Sequence, residues 1–192
     1  MASGRFFHAY TALECELNDA VYAAITRFTK HKTRTRVLLA VLGGQRMSAA
    51  KDTLNRLLRA TNANPKRLEF ARALFHQLGE IQFLRDRLAH SITTVSDDNP
   101  PQFINMNFVN IRELSKFEDI TFDVDVLEAA TLDLYAMRGM ARKLVNHYVG
   151  KGSQAVPKLP AWHYKPSMLT RDRPLSHGNQ KPRKPPPQSS RA

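Results

Sequence analysis

Cysteine is almost missing from this chain, and Cys15 is the only one. A single thiol closes no internal disulfide and supplies no cysteine-built zinc site. Cys15 lies between Glu14 and Glu16, whose charges disfavour a thiolate, so it reads as a small buried hydrophobe. Long apolar runs are missing too. No window approaches the roughly 18 uninterrupted apolar residues of a membrane span, so no transmembrane helix is expected. The first residues, Met1-Ala-Ser-Gly-Arg-Phe-Phe, lack the apolar stretch and cleavage pattern of a signal peptide. A reducing cytoplasm is the expected compartment. Acid is scarce, 17 Asp and Glu against 29 Lys and Arg, for a net charge of +12. Such a chain is attracted to polyanions, of which nucleic acid and anionic membrane surfaces are the common ones.

What is present is enough to build one domain. Of 192 residues, 42% are hydrophobic, an ordinary globular proportion. Charge and proline are unevenly spread. Residues 151–192 hold nine Lys or Arg, one acid (Asp172) and eight of the eleven prolines, and so carry +8 of the +12. Few apolar groups remain there to offset the entropy of ordering, so 151–192 is expected to be a disordered, basic, proline-rich tail on a domain of residues 1–150. Trp162 and Tyr164 are the exception, placed either to dock on the domain or to stack on a base. The tail reads as an arm for nucleic acid or an acidic partner, or else as a solubilising extension.

The periodicity within 1–150 predicts an all-α fold, an antiparallel bundle of about four to five helices. Phe6, Tyr10, Leu13, Leu17, Val21, Ala24 and Phe28 recur at spacings of three and four, which predicts a helix from about Arg5 to Lys30. A short helix is expected over Thr33–Leu42, stopped by Gly43-Gly44. The next is expected to run from a Ser48 cap to Ala60. Asn64-Pro65 opens a long helix to about His90, with Phe70, Leu74, Leu78, Ile81, Leu84 and Leu88 as its core stripe. The weak alternation from Phe103 to Ile111 suggests a short strand, with a hairpin partner near Phe117–Phe122. Asp123 or Thr121 caps the last helix, which ends at Gly150.

The chemistry-bearing cluster is Phe83-Leu-Arg-Asp-Arg-Leu-Ala-His-Ser91, at the end of the long helix. Arg85 falls at the edge of the apolar stripe, where a guanidinium needs an acceptor such as a phosphate. Asp86 and His90 are four apart on one face, so the carboxylate is placed to fix the imidazole tautomer. Glu14, beside the stripe of the first helix, is a candidate contact for Arg85 across the bundle. RNA is cleaved without metal when a base takes the 2′-OH proton and a cation stabilises the phosphorane, roles that suit His and Arg. The bland reading is a structural Arg–Asp–His cluster. The same spacing recurs at Arg142 and His147, so context decides, not spacing. His76 and Glu80 also lie four apart, but no further ligand is spaced to complete a metal site; no metal or cofactor is expected.

That context resembles the HEPN superfamily, small helical domains marked by Arg, a polar residue, three more residues, then His. Leu84-Arg-Asp-Arg-Leu-Ala-His-Ser91 is similar to the family's Arg-Asn-x-Leu-Ala-His form, and the layout of long first, middle and last helices fits. The resemblance implies a metal-independent endoribonuclease or an RNA-binding module, with Arg85 and His90 catalytic and Asp86 at the polar position. It implies a homodimer through the motif helix, and by association a defence or toxin–antitoxin setting. The toxin subgroup has a Tyr two residues after the His where this chain has Ile92, so the resemblance is to the superfamily. The alternative is a non-catalytic helical interaction protein with a basic tail.

Overall fold

In the computed structural model, residues 2–29, 35, 36, 38, 40, 45–61, 63–97, 101–106, 119–148 and 158–172 are described. Four long helices and one antiparallel sheet stand among them: α1 (Ala2–Phe28), α2 (Met47–Ala60), α3 (Pro65–His90), strands β1 (Ile92–Val95), β2 (Phe103–Met106) and β3 (Asp119–Phe122), α4 (Val124–Tyr148), a 3-10 turn at Pro166–Met168, and strand β4 (Thr170–Asp172). The chain is mainly α-helical, as its periodicity predicts. The helix expected over Thr33–Leu42 and the Gly43-Gly44 pair lie mostly or wholly outside the described residues.

Each helix forms because its apolar residues return every three or four positions and find a partner stripe. Leu13, Leu17, Ala20 and Ala24 of α1 are fully buried, as are Leu127, Ala130, Leu134, Met137 and Ala141 of α4. Small residues in both stripes let the two helices approach closely along their length. Each buried Leu contributes about 2–3 kcal/mol of transfer free energy. Arg5 bonds Glu128 at 2.9 Å, and Glu16 takes Arg138 at 3.0 Å and Arg142 at 2.7 Å, so α1 and α4 run in the same direction. Among the described residues, no helix is long and apolar enough to cross a membrane.

Two of the expected caps form. Asn64 accepts from the Lys66 amide at 2.9 Å with Pro65 in the first turn of α3, and Asp123 accepts from Val126 at 3.0 Å to start α4. Ser48 is not the cap of α2. Its cap position is two residues earlier, at Arg46, and the helix starts at Met47, whose amide donates to the Glu14 carboxylate of α1 at 2.7 Å. Cys15 is exposed rather than buried. It sits two residues from both Leu13 and Leu17, which turns it about 200° from either and off the buried stripe.

The sheet is ordered β1-β2-β3-β4, every pair antiparallel. The expected hairpin is there, as Phe103 opposite Phe122 with rings stacked at 5.5 Å. Ile120 and Phe122 are both buried, two apart, so that face of β3 covers the core. The sheet extends further than the alternation suggests. β1 follows α3 almost at once, and β4 comes from the segment assigned to the tail.

The domain boundary at residue 150 is therefore set too early. Residues 158–172 belong to the fold, while 151–157 and 173–192 lie outside the described residues. Tyr164 and Leu169 are buried, and Trp162 packs against the core, which favours docking over base stacking for Trp162 and Tyr164. The anchor is Asp133 of α4, a fully buried carboxylate. Its Oδ1 accepts from the backbone N–H of His163 and lies 2.9 Å from the His163 Nδ1. Its Oδ2 accepts from the Tyr164 N–H and from Gln77 Nε2 of α3, both at 2.9 Å. Gln77 Nε2 also donates to the Tyr164 carbonyl. Composition alone missed this because a handful of residues among many charges supply the whole attachment. Replacing Asp133→Ala strands these buried donors and is expected to lower stability by about 3 kcal/mol. Hydrogen exchange should show the His163 and Tyr164 amides losing protection first; unchanged protection there would mean that the carboxylate is not what holds this segment.

Candidate functional site

The end of α3 is held by its own cap and by the sheet. The Ser91 N–H donates to the Arg87 carbonyl at 3.0 Å, and the buried Asn105 of β2 donates to the same oxygen at 3.1 Å. Asn105 also donates to Thr93 Oγ1 of β1 at 2.9 Å. The last turn of α3, which carries His90, is thus fixed to two strands by one amide.

On the other side of α3 lies an open groove of about 580 Å³, bounded by α1, the start of α2, and α3. Tyr10 and Glu14 come from α1, Arg46 and Ser48 from the start of α2, and Gln82, Arg85, Asp86 and His90 from α3. All four residues singled out from the sequence, Arg85, Asp86, His90 and Glu14, line this one groove. Their pairing differs from expectation. Arg85 Nη1 bonds Asp86 Oδ1 at 2.9 Å, and its guanidinium lies over the Tyr10 ring, 5.5 Å from the centroid. Adjacent residues on a helix point about 100° apart, but the long Arg side chain curls back to reach its neighbour. Asp86 is thereby engaged with Arg85 and does not hold the tautomer of His90, whose exposed ring has no hydrogen bond among the described residues.

Glu14 does not reach Arg85 either; it serves the N-terminus of α2. The helix dipole and the unmatched Met47 N–H both favour a carboxylate there. Asn18, one turn further along α1, donates to the carbonyls of Glu14 and Gln45, both at 3.0 Å, and so fixes the approach to α2. Glu14 is the groove's structural wall.

Arg85 keeps 36% of its side-chain surface exposed. Cation–π contact and the Asp86 bond hold it on two sides, and its Nε is buried without a hydrogen-bond partner. Tyr10 was legible only as a member of the α1 stripe; its position beneath Arg85 depends on how α1 and α3 cross. Gln82 lies one turn before Asp86, so the shared face of α3 was a signal that pointed to it. Nothing in the sequence pointed to Arg46. Among the described residues, no three metal-ligating side chains come together.

Burial pushes the Tyr10 phenol up to about 12, the Arg85 charge pulls against this, and Asp86 and Glu14 add to it. Tyr10 is therefore a neutral hydroxyl at physiological pH. Tyr164 is likewise raised to about 12, mainly by burial.

No family model, no curated protein and no solved structure matches this chain. The geometry of the groove and the chemistry of its residues carry the functional reading.

Two measurements probe the site's construction. Glu14→Ala is expected to destabilise the protein by about 1 kcal/mol through loss of the α2 cap, with Glu14→Gln milder because an acceptor remains. Equal effects of the two changes would mean that the cap contributes nothing. For the tyrosines, the folded pKa lies above the unfolded value of about 10, so the folded state holds its proton more tightly. Stability from this source is complete below pH 10 and is lost as pH rises through 12. A phenolate absorbance titration of the folded protein should show a component rising only near pH 12, reduced in Tyr10→Phe. Complete ionisation near pH 10 without unfolding would contradict the burial of these groups.

Proposed function

We propose that the groove binds an RNA phosphate, and that the chain is a metal-independent endoribonuclease of the HEPN type. The carrying observation is that one open groove gathers a half-exposed, pre-oriented Arg85 and an exposed His90 at a helix end braced by the sheet. In this reading the 2′-oxygen attacks phosphorus and the P–O5′ bond breaks. The products are a 2′,3′-cyclic phosphate and a 5′-hydroxyl. Arg85 stabilises charge on the non-bridging oxygens of the phosphorane. His90 carries a proton, taking it from the 2′-OH or giving it to the departing O5′. One chain brings one His90 to the groove. A second copy meeting the first at the end of α3, as the family resemblance implies, would supply the other proton-transfer group.

The Arg85–Asp86 pair favours a second reading, a non-catalytic helical interaction domain. It partly neutralises the guanidinium and leaves His90 without an orienting carboxylate.

Incubating the protein with structured RNA in EDTA separates the two. Cleavage ending in 2′,3′-cyclic phosphate is expected to fall roughly 10²–10⁴-fold in His90→Ala and about 10²–10³-fold in Arg85→Ala. His90 is exposed, so its loss should leave helicity unchanged. Asp86→Asn tests the second reading, since freeing Arg85 should tighten RNA binding if the groove takes a phosphate. If wild type does not cleave, or if both variants cleave like it, the catalytic reading is lost.

A further inference from the structure

The outer face of α4 presents two neighbouring large apolar side chains to solvent. Leu132 is 53% exposed and Tyr135 47%, side by side and one turn apart. They border a shallow groove of about 220 Å³ that runs back to Ala2 and Arg5 of α1. One turn on is Gly139, where an added Cβ would meet nothing within 4 Å, so the backbone there lies open to close approach. Charge along this face is polarised. Asp125 and Glu128 are exposed in the first turns, and Arg142 and Lys143 in the last; Glu128 also pairs with Arg5, and Arg142 with Glu16, within the chain.

We infer that this face of α4 docks against the same face of a second copy of the chain, with the two helices antiparallel about a two-fold axis. A register that sets Leu132 against the second copy's Tyr135 also sets Asp125 against its Arg142, and Glu128 against its Gly139. Acid then meets base at both ends, and the open glycine admits the Glu128 side chain beside the apolar centre. A parallel arrangement would put acid on acid and base on base. The face is self-complementary under a two-fold perpendicular to α4, which makes the antiparallel isologous dimer its occupant. Leu132 and Tyr135 are its apolar anchors, with the charged pairs as rim and register.

This contact does not rest on the RNA reading and leaves the groove free. Arg5 and Glu16, the α1 residues that pair with α4, point nearly the same way around α1. Tyr10 and Glu14 point about 140° and 160° away from Arg5 and Glu16 respectively, at 100° per residue. A second copy on α4 thus sits on a different side of α1 from the groove.

Light scattering on the full chain tests it. Leu132→Glu is expected to halve the particle mass at unchanged helicity, with association weakened roughly thirtyfold or more. Asp125→Arg and Arg142→Asp should each weaken association about two- to fivefold, and together restore it. Rescue is specific to this register, because within one chain Arg142 bonds Glu16 instead. A monomeric wild type, a mass unaffected by Leu132→Glu, or a double variant no better than the singles would overturn the inference. An assembly seated on the end of α3 would survive all three changes, and RNA cleavage in Leu132→Glu reports on the groove separately.

Discussion

A carboxylate with no access to water has to be satisfied from within, and Asp133 governs much of this fold. Its donors come from α3, through Gln77, and from the segment after α4, through His163 and Tyr164. Removing the charge from water is costly, so the arrangement persists only when all these parts are in place together. The same side chain therefore fixes α3 against α4 and recruits the residues that end in β4. β4 extends the sheet, and the sheet braces the last turn of α3. The position of His90 rests on a chain of contacts that begins at a buried acid far from it in sequence.

The groove shows how few free charges survive once a fold has used its own. Glu14 is engaged with the start of α2, Glu16 with Arg138 and Arg142, and Asp86 with Arg85. Arg85 is held between an anion and an aromatic face, a setting that orients a guanidinium without consuming all its donors. Pre-orientation of this kind lowers the cost of ordering a long side chain around a phosphate. The Asp86 contact opposes it electrostatically, so a ligand has to compete with that carboxylate for Arg85.

Helices, caps at Asn64 and Asp123, and the Phe103–Phe122 hairpin were legible because they depend on neighbours in sequence or on a strong period. The gathering of Arg85, Asp86 and His90 on one helix end was legible for the same reason. Partners across the bundle were not. Glu14 lay near the stripe, and its destination at Met47 depends on where α2 begins, which no local pattern fixes. Tyr10 looked like core and is core, yet its ring also forms the floor under Arg85. The segment 158–172 has the average composition of a disordered tail. Tyr164, Leu169 and one remote carboxylate outweigh that average.

Anchoring β4 has a consequence for the basic residues that follow it. Arg171 lies over the ring of Phe83, 5.0 Å from the centroid, on the helix that carries Arg85 and His90. The chain therefore leaves the described fold at β4, beside α3 rather than at the far end of α4, and the five Lys or Arg of residues 173–192 follow in sequence from that point.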